Sequence, residues 1–149
     1  MPRLNVFVFI LLLVTLLPSV SFACSCKERT DSELYKNAKA VFLAEVTLTE
    51  IEKDESENSL GDMVIAKFRV IESFKPGSAE ITEVRDLSFG FGNCSIGLTS
   101  GMEYVFYVSN DKGKFTNYVG MCTGSRPVNL QADEANELLD RIRKLGSTK

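Results

Sequence analysis

The chain contains no histidine and no tryptophan. The first absence bears most on chemistry. It excludes a Ser-His-Asp triad, a Cys-His nucleophile pair and every zinc site with an imidazole ligand. An excess of positive charge is missing too: 17 Lys and Arg face 20 Asp and Glu, a formal net charge of −3. A nucleic-acid binder presents a basic face, and no segment here offers a basic groove interleaved with aromatics. No apolar run reaches the roughly 20 residues of a membrane-spanning helix. These absences argue against an enzyme, against a nucleic-acid partner and against a spanning anchor. At 149 residues the chain is one domain's worth, long enough for a single hydrophobic core.

What is present begins with a leader. Arg3 supplies a positive start, Val6 to Leu17 form an apolar run broken by Thr15, and Ser21-Phe22-Ala23 fits small-x-small cleavage. The expectation is a signal peptide over residues 1–23 and a mature domain over 24–149, secreted or, in a Gram-negative source, periplasmic. An uncleaved anchor and a lipoprotein are the rival readings. The lipoprotein reading is disfavoured because Ser21 stands where an aliphatic residue is usual. Lipidation would also consume the Cys24 thiol and leave an odd set of three cysteines.

Cleavage after Ala23 would make Cys24 the first residue of the mature chain, which then opens Cys24-Ser25-Cys26. Four cysteines form an even set, as in a disulfide framework of an exported domain. In extended backbone, residues two apart lie about 6.5–7 Å from each other, the outer limit for bridged Cα atoms. A Cys24–Cys26 bridge is therefore strained, and Cys94 and Cys122 are the available partners. The spacing does not choose between the two long-range pairings. A four-thiolate zinc site normally shows short knuckles, whereas Cys94 and Cys122 stand alone. A redox-active Cys-x-Cys leaves those two unexplained unless they pair together.

Further along, Asp31 to Lys39 reads as a short helix capped by Thr30 or Asp31. From Ala40 the period becomes two, with Ala40, Phe42, Ala44, Val46 and Leu48 on one face of a long strand. Residues 52–61 are acidic and turn-rich, an exposed loop. Met63 to Phe74 alternates again, Ile81 to Leu87 is a third strand, and Phe89 and Phe91 are expected to plug the core, with exposed contacts as the alternative. Met102 to Val108 and Phe115 to Met121 complete the set, joined by a hairpin turn at Asn110-Asp111-Lys112-Gly113. Ala135, Leu138, Leu139, Ile142 and Leu145 form one helical stripe, with Gly146 as a stop signal. The resulting expectation is a mainly β fold: a five-stranded antiparallel barrel, closed or nearly so, with flanking helices including one at the C-terminus.

The Cys-Ser-Cys start, the segment from Asn37 to Val46, and Phe68-Arg69-Val70 followed by Phe74-Lys75-Pro76-Gly77 stand in a familiar order. Cys94 ahead of Gly101 to Phe106, and then Cys122-Thr123-Gly124-Ser125, complete it. Together they resemble the N-terminal domain of the tissue inhibitors of metalloproteinases, within the wider netrin-like module family. The resemblance implies an OB-type barrel and the pairing Cys24–Cys94 and Cys26–Cys122. It implies that the amine and carbonyl of Cys24 chelate the catalytic zinc of a target metalloendopeptidase, while Ser25 enters the adjoining specificity pocket. It implies a monomer with no cofactor and no metal of its own. The family's third disulfide in this domain has no counterpart, with Lys36 near the place of its first cysteine. Lys27-Glu28-Arg29 stands where the family has a proline. The alternative is a non-inhibitory extracellular netrin-like module, in which the disulfides serve stability and the loop at residues 52–61 meets a protein partner.

Overall fold

The computed structural model describes residues 24–55, 61–90 and 93–147. The leader expected over residues 1–23 lies outside them, as do Phe91 and the centre of the acidic loop. The elements in order are α1 (Asp31–Asn37), β1 (Ala40–Glu52), β2 (Met63–Ser73), β3 (Val84–Leu87), β4 (Glu103–Val108), β5 (Arg126–Val128) and α2 (Asp133–Ser147). The strands form one antiparallel sheet in the order β3-β2-β1-β4-β5. The fold is thus mainly β with flanking helices, and the sheet is open, with β3 and β5 at its edges.

β1 is the central strand, and its first half is buried on both faces. On one side Ala40, Phe42, Ala44 and Val46 join Ala66, Val84, Tyr104, Phe106, Val108 and Val119 in a core. Phe42 sits 4.9 Å from Phe68 and 5.5 Å from Phe106 between ring centroids, and Tyr104 stacks on Phe106 at 5.4 Å. On the other side Val41 and Leu43 pack with Val105 and Tyr107 against Leu138, Leu139 and Ile142 of α2. A strand enclosed in this way loses the simple in–out alternation of a one-sided sheet.

Register shifts at Leu43/Ala44 and at Val46/Leu48 bend the long hairpin of β1 and β2. The second one ends the expected inward stripe: Leu48 is 44% exposed rather than buried with Val46.

Four other expectations are corrected. Residues 115–121 are not a strand, and the predicted hairpin at residues 110–113 does not form. Gly113 and Asn117 adopt φ of 70° and 60°, which interrupts extended backbone. A 3₁₀ turn at Gly113–Phe115 leads to one parallel bridge between Tyr118 and Arg85. Asn117 is held there by its Nδ2, which donates to Glu83 O at 3.0 Å, and by Lys39 Nζ, which donates to its Oδ1. The fifth strand is instead Arg126–Val128 beside β4. Pro127, which has no N–H, fits there because β5 is an edge strand. Phe89 is 88% exposed, so it fills no core. Gly146 does not stop α2, which runs to Ser147. A Cβ at Gly146 would lie 2.7 Å from Phe74 O, so glycine there permits the helix to approach the end of β2.

Candidate functional site

The structure brings Cys24, Ser25 and Cys26 to the surface in a segment without helix or strand ahead of α1. Cys24 is bonded to Cys94 and Cys26 to Cys122, each pair with Cα atoms 5.2 Å apart. The pairing is the one the resemblance implies. Cys24 Sγ and Cys26 Sγ are 3.9 Å apart, so both side chains drop to the same face. Both cysteines are half-buried, and Ser25 between them is exposed.

Each anchor is itself held. Cys94 opens a loop fastened to β3 by Asp86, which is fully buried. Its Oδ2 accepts from Ser95 Oγ and Ile96 N, both at 2.7 Å, and its Oδ1 from Leu87 N at 2.9 Å. Burial pushes the Asp86 carboxyl above the usual aspartate range, against the hydrogen bond from Ser95. Asp86 also adds to the burial that raises the Tyr118 hydroxyl to about 12. Cys122 sits in a 3₁₀ turn, Met121–Thr123, ended by Gly124 with φ of 94°. Met121 N donates to Cys94 O at 2.7 Å, joining the two anchor loops directly. Beyond the turn, Ser125 Oγ accepts from Tyr107 N at 2.9 Å and ties it to β4.

The other end of the terminal segment is fixed by a capping box. Thr30 Oγ1 accepts from Glu33 N at 3.2 Å, and Thr30 N donates to Glu33 Oε2 at 2.8 Å. Those bonds from Thr30 lower the Glu33 carboxyl below its ordinary value. Residues 24–30 are therefore held at both ends, with Lys27, Glu28 and Arg29 exposed between the fixed points.

Asp86 is the residue supporting the site that the sequence did not reveal. An acidic residue inside the expected strand Ile81 to Leu87 is the signal that was present, since carboxylates are depleted from strands unless they have partners. A cavity of about 360 Å³ lies next to Cys122, lined in part by Arg29, Leu34, Tyr107, Tyr118 and Thr123. Among the described residues, no helix is long and apolar enough to cross a membrane.

Fold and site together define a disulfide-stapled β domain with its first described residues clamped across two anchor loops. The chain matches no protein-family model, and no curated protein matches it.

Proposed function

We propose that the chain, in its disulfide-bonded form, is a secreted, non-enzymatic inhibitor of zinc metalloendopeptidases, monomeric and without a metal or cofactor of its own. Cleavage after Ala23 leaves Cys24 with a free α-amine. A catalytic zinc keeps one coordination position for water. An α-amine with a pKa near 7.7–8.0 loses its proton at little cost near neutral pH, so its lone pair can replace that water. The Cys24 carbonyl supplies a second ligand atom, and Ser25 enters the pocket mouth without burying a charge.

The observation that carries this reading is the exposed Ser25 between two disulfide-anchored cysteines. A terminus already held in one shape loses little conformational freedom on binding. The two disulfides fit an oxidising compartment.

The test compares refolded, disulfide-intact chain beginning at Cys24 with chain carrying one additional alanine before it. Against a panel of zinc metalloendopeptidases, the first should inhibit and the second should not, with identical far-UV circular dichroism. Equal inhibition by both would sink the mechanism. Inhibition by neither, with correct intact mass and N-terminal sequence, would favour a netrin-like module that only binds a protein partner.

A further inference from the structure

The spacing of Cys94 and Cys122 argues against a four-thiolate metal site, because neither belongs to a short knuckle. The fold removes that objection. All four Sγ atoms lie within 4.8 Å of one another. We infer that the reduced chain binds one soft, thiophilic cation of the zinc class between Cys24, Cys26, Cys94 and Cys122, and that disulfide formation expels it.

A tetrahedral thiolate site with zinc–sulfur bonds of 2.3 Å places its sulfurs about 3.8 Å apart. Cys24 Sγ and Cys26 Sγ already stand at 3.9 Å. Within each bonded pair the Cα separation of 5.2 Å leaves the sulfurs room to part by side-chain rotation once the bond is reduced. The anchor loops have restraints besides the disulfides. Met121 N holds Cys94 O, and Asp86 holds Ser95 and Ile96. Four thiolates around a divalent cation carry a net charge of −2, and Arg29 lines the same cavity as Cys122. Sulfur donors select soft cations over calcium and magnesium, which take oxygen.

The chemistry closes as follows. Reduction of the two disulfides by two equivalents of a phosphine consumes two waters: the phosphine gives four electrons and leaves as two phosphine oxides, and the waters give the four protons of the four thiols. Binding of one divalent cation releases those four protons. In the reverse direction, two equivalents of a small-molecule disulfide oxidise the four thiolates to the two protein disulfides. The oxidant leaves as four thiolates and the cation is set free. The loaded state therefore belongs to the chain before oxidation, and the disulfide state to an oxidising compartment. The inference does not depend on the inhibitor reading, because it concerns the chain's own sulfurs and no protease.

The experiment uses chain 24–149, reduced anaerobically with a phosphine, freed of reductant and titrated with Co²⁺. Visible ligand-field bands of tetrahedral cobalt thiolate should saturate at one equivalent per chain and disappear on adding one equivalent of Zn²⁺. Oxidised glutathione should then release the zinc stoichiometrically to a chromogenic indicator. Should the reduced chain lose its fold, the cation should restore its far-UV circular dichroism. Bands that fail to form overturn the inference. So do equal bands from the Cys94→Ser/Cys122→Ser double variant, or from reduced chain in denaturant, since either would show that the fold does not assemble the site.

Discussion

Removing either disulfide should cost nearly the same stability, although the pairs span 70 and 96 residues of chain. Taken alone, each would constrain the unfolded chain by its own loop, worth about 4.4 kcal/mol for Cys24–Cys94 and about 4.7 kcal/mol for Cys26–Cys122 in the chain-entropy account. The two are interlocked, however. With one bond in place, the other closes a circuit of only two residues on the Cys24–Cys26 side and twenty-eight on the Cys94–Cys122 side. A circuit of about 30 residues is worth about 3.6 kcal/mol whichever bond closes it.

The paired variants Cys24→Ala/Cys94→Ala and Cys26→Ala/Cys122→Ala should therefore each lose about 3.6 kcal/mol in urea unfolding. The four-fold variant should lose about 8 kcal/mol, more than twice the single loss and comparable to the whole stability of a typical domain. Urea midpoints and slopes for the three variants supply the assay. Single losses differing by more than about 2 kcal/mol, or a four-fold loss smaller than the two single losses combined, would refute the interlocked-circuit reasoning.

Further predictions concern residues that support the site. Asp86 has a raised carboxyl, so its contribution to stability is complete below its ordinary 3.8 and is lost as pH rises through the folded-state value. Wild type should thus lose urea resistance relative to Asp86→Asn as pH rises above 3.8, and a constant difference would remove the basis for that assignment. Gly146→Ala should destabilise even though alanine gains up to about 1 kcal/mol of helix propensity. The new Cβ would stand 2.7 Å from Phe74 O and 3.1 Å from Tyr35 Oη, so a raised urea midpoint would contradict the close approach. Tyr35→Phe deletes a hydroxyl that donates to Phe74 O at 2.5 Å and should cost about 1 kcal/mol without altering any inhibition; an unchanged midpoint would show that bond to be neutral.

Local signals were strong wherever one residue type dictates one backbone outcome. Thr30 and Glu33 stand at capping-box spacing, and α1 starts where they require. The stripe of Ala135, Leu138, Leu139 and Ile142 has helical spacing, and all four are buried in α2. Alternation located β1, β2 and β4 to within a few residues. It failed at residues 115–121, where Phe115 and Val119 alternate properly but Gly113 and Asn117 turn the backbone left-handed. It also missed β5, because a three-residue edge strand containing Pro127 has no periodicity to detect.

The sequence by itself determined the absence of imidazole chemistry, the paired count of cysteines, the mainly β character and the place of both helices. Those properties reside in composition or in spacings of two to four residues, which the backbone reads locally. Spacing alone left the cysteine pairing open and the resemblance supplied it; only the tertiary structure decided that Asp86 fastens the Cys94 loop and that the sheet stays open. Those outcomes depend on segments tens of residues apart arriving at one place, and their selection lies in packing around β1. The Cys24-Ser25-Cys26 segment shows the division well. Its disulfides could be expected from the count, but four sulfurs within 4.8 Å of one another is a property of the folded chain alone.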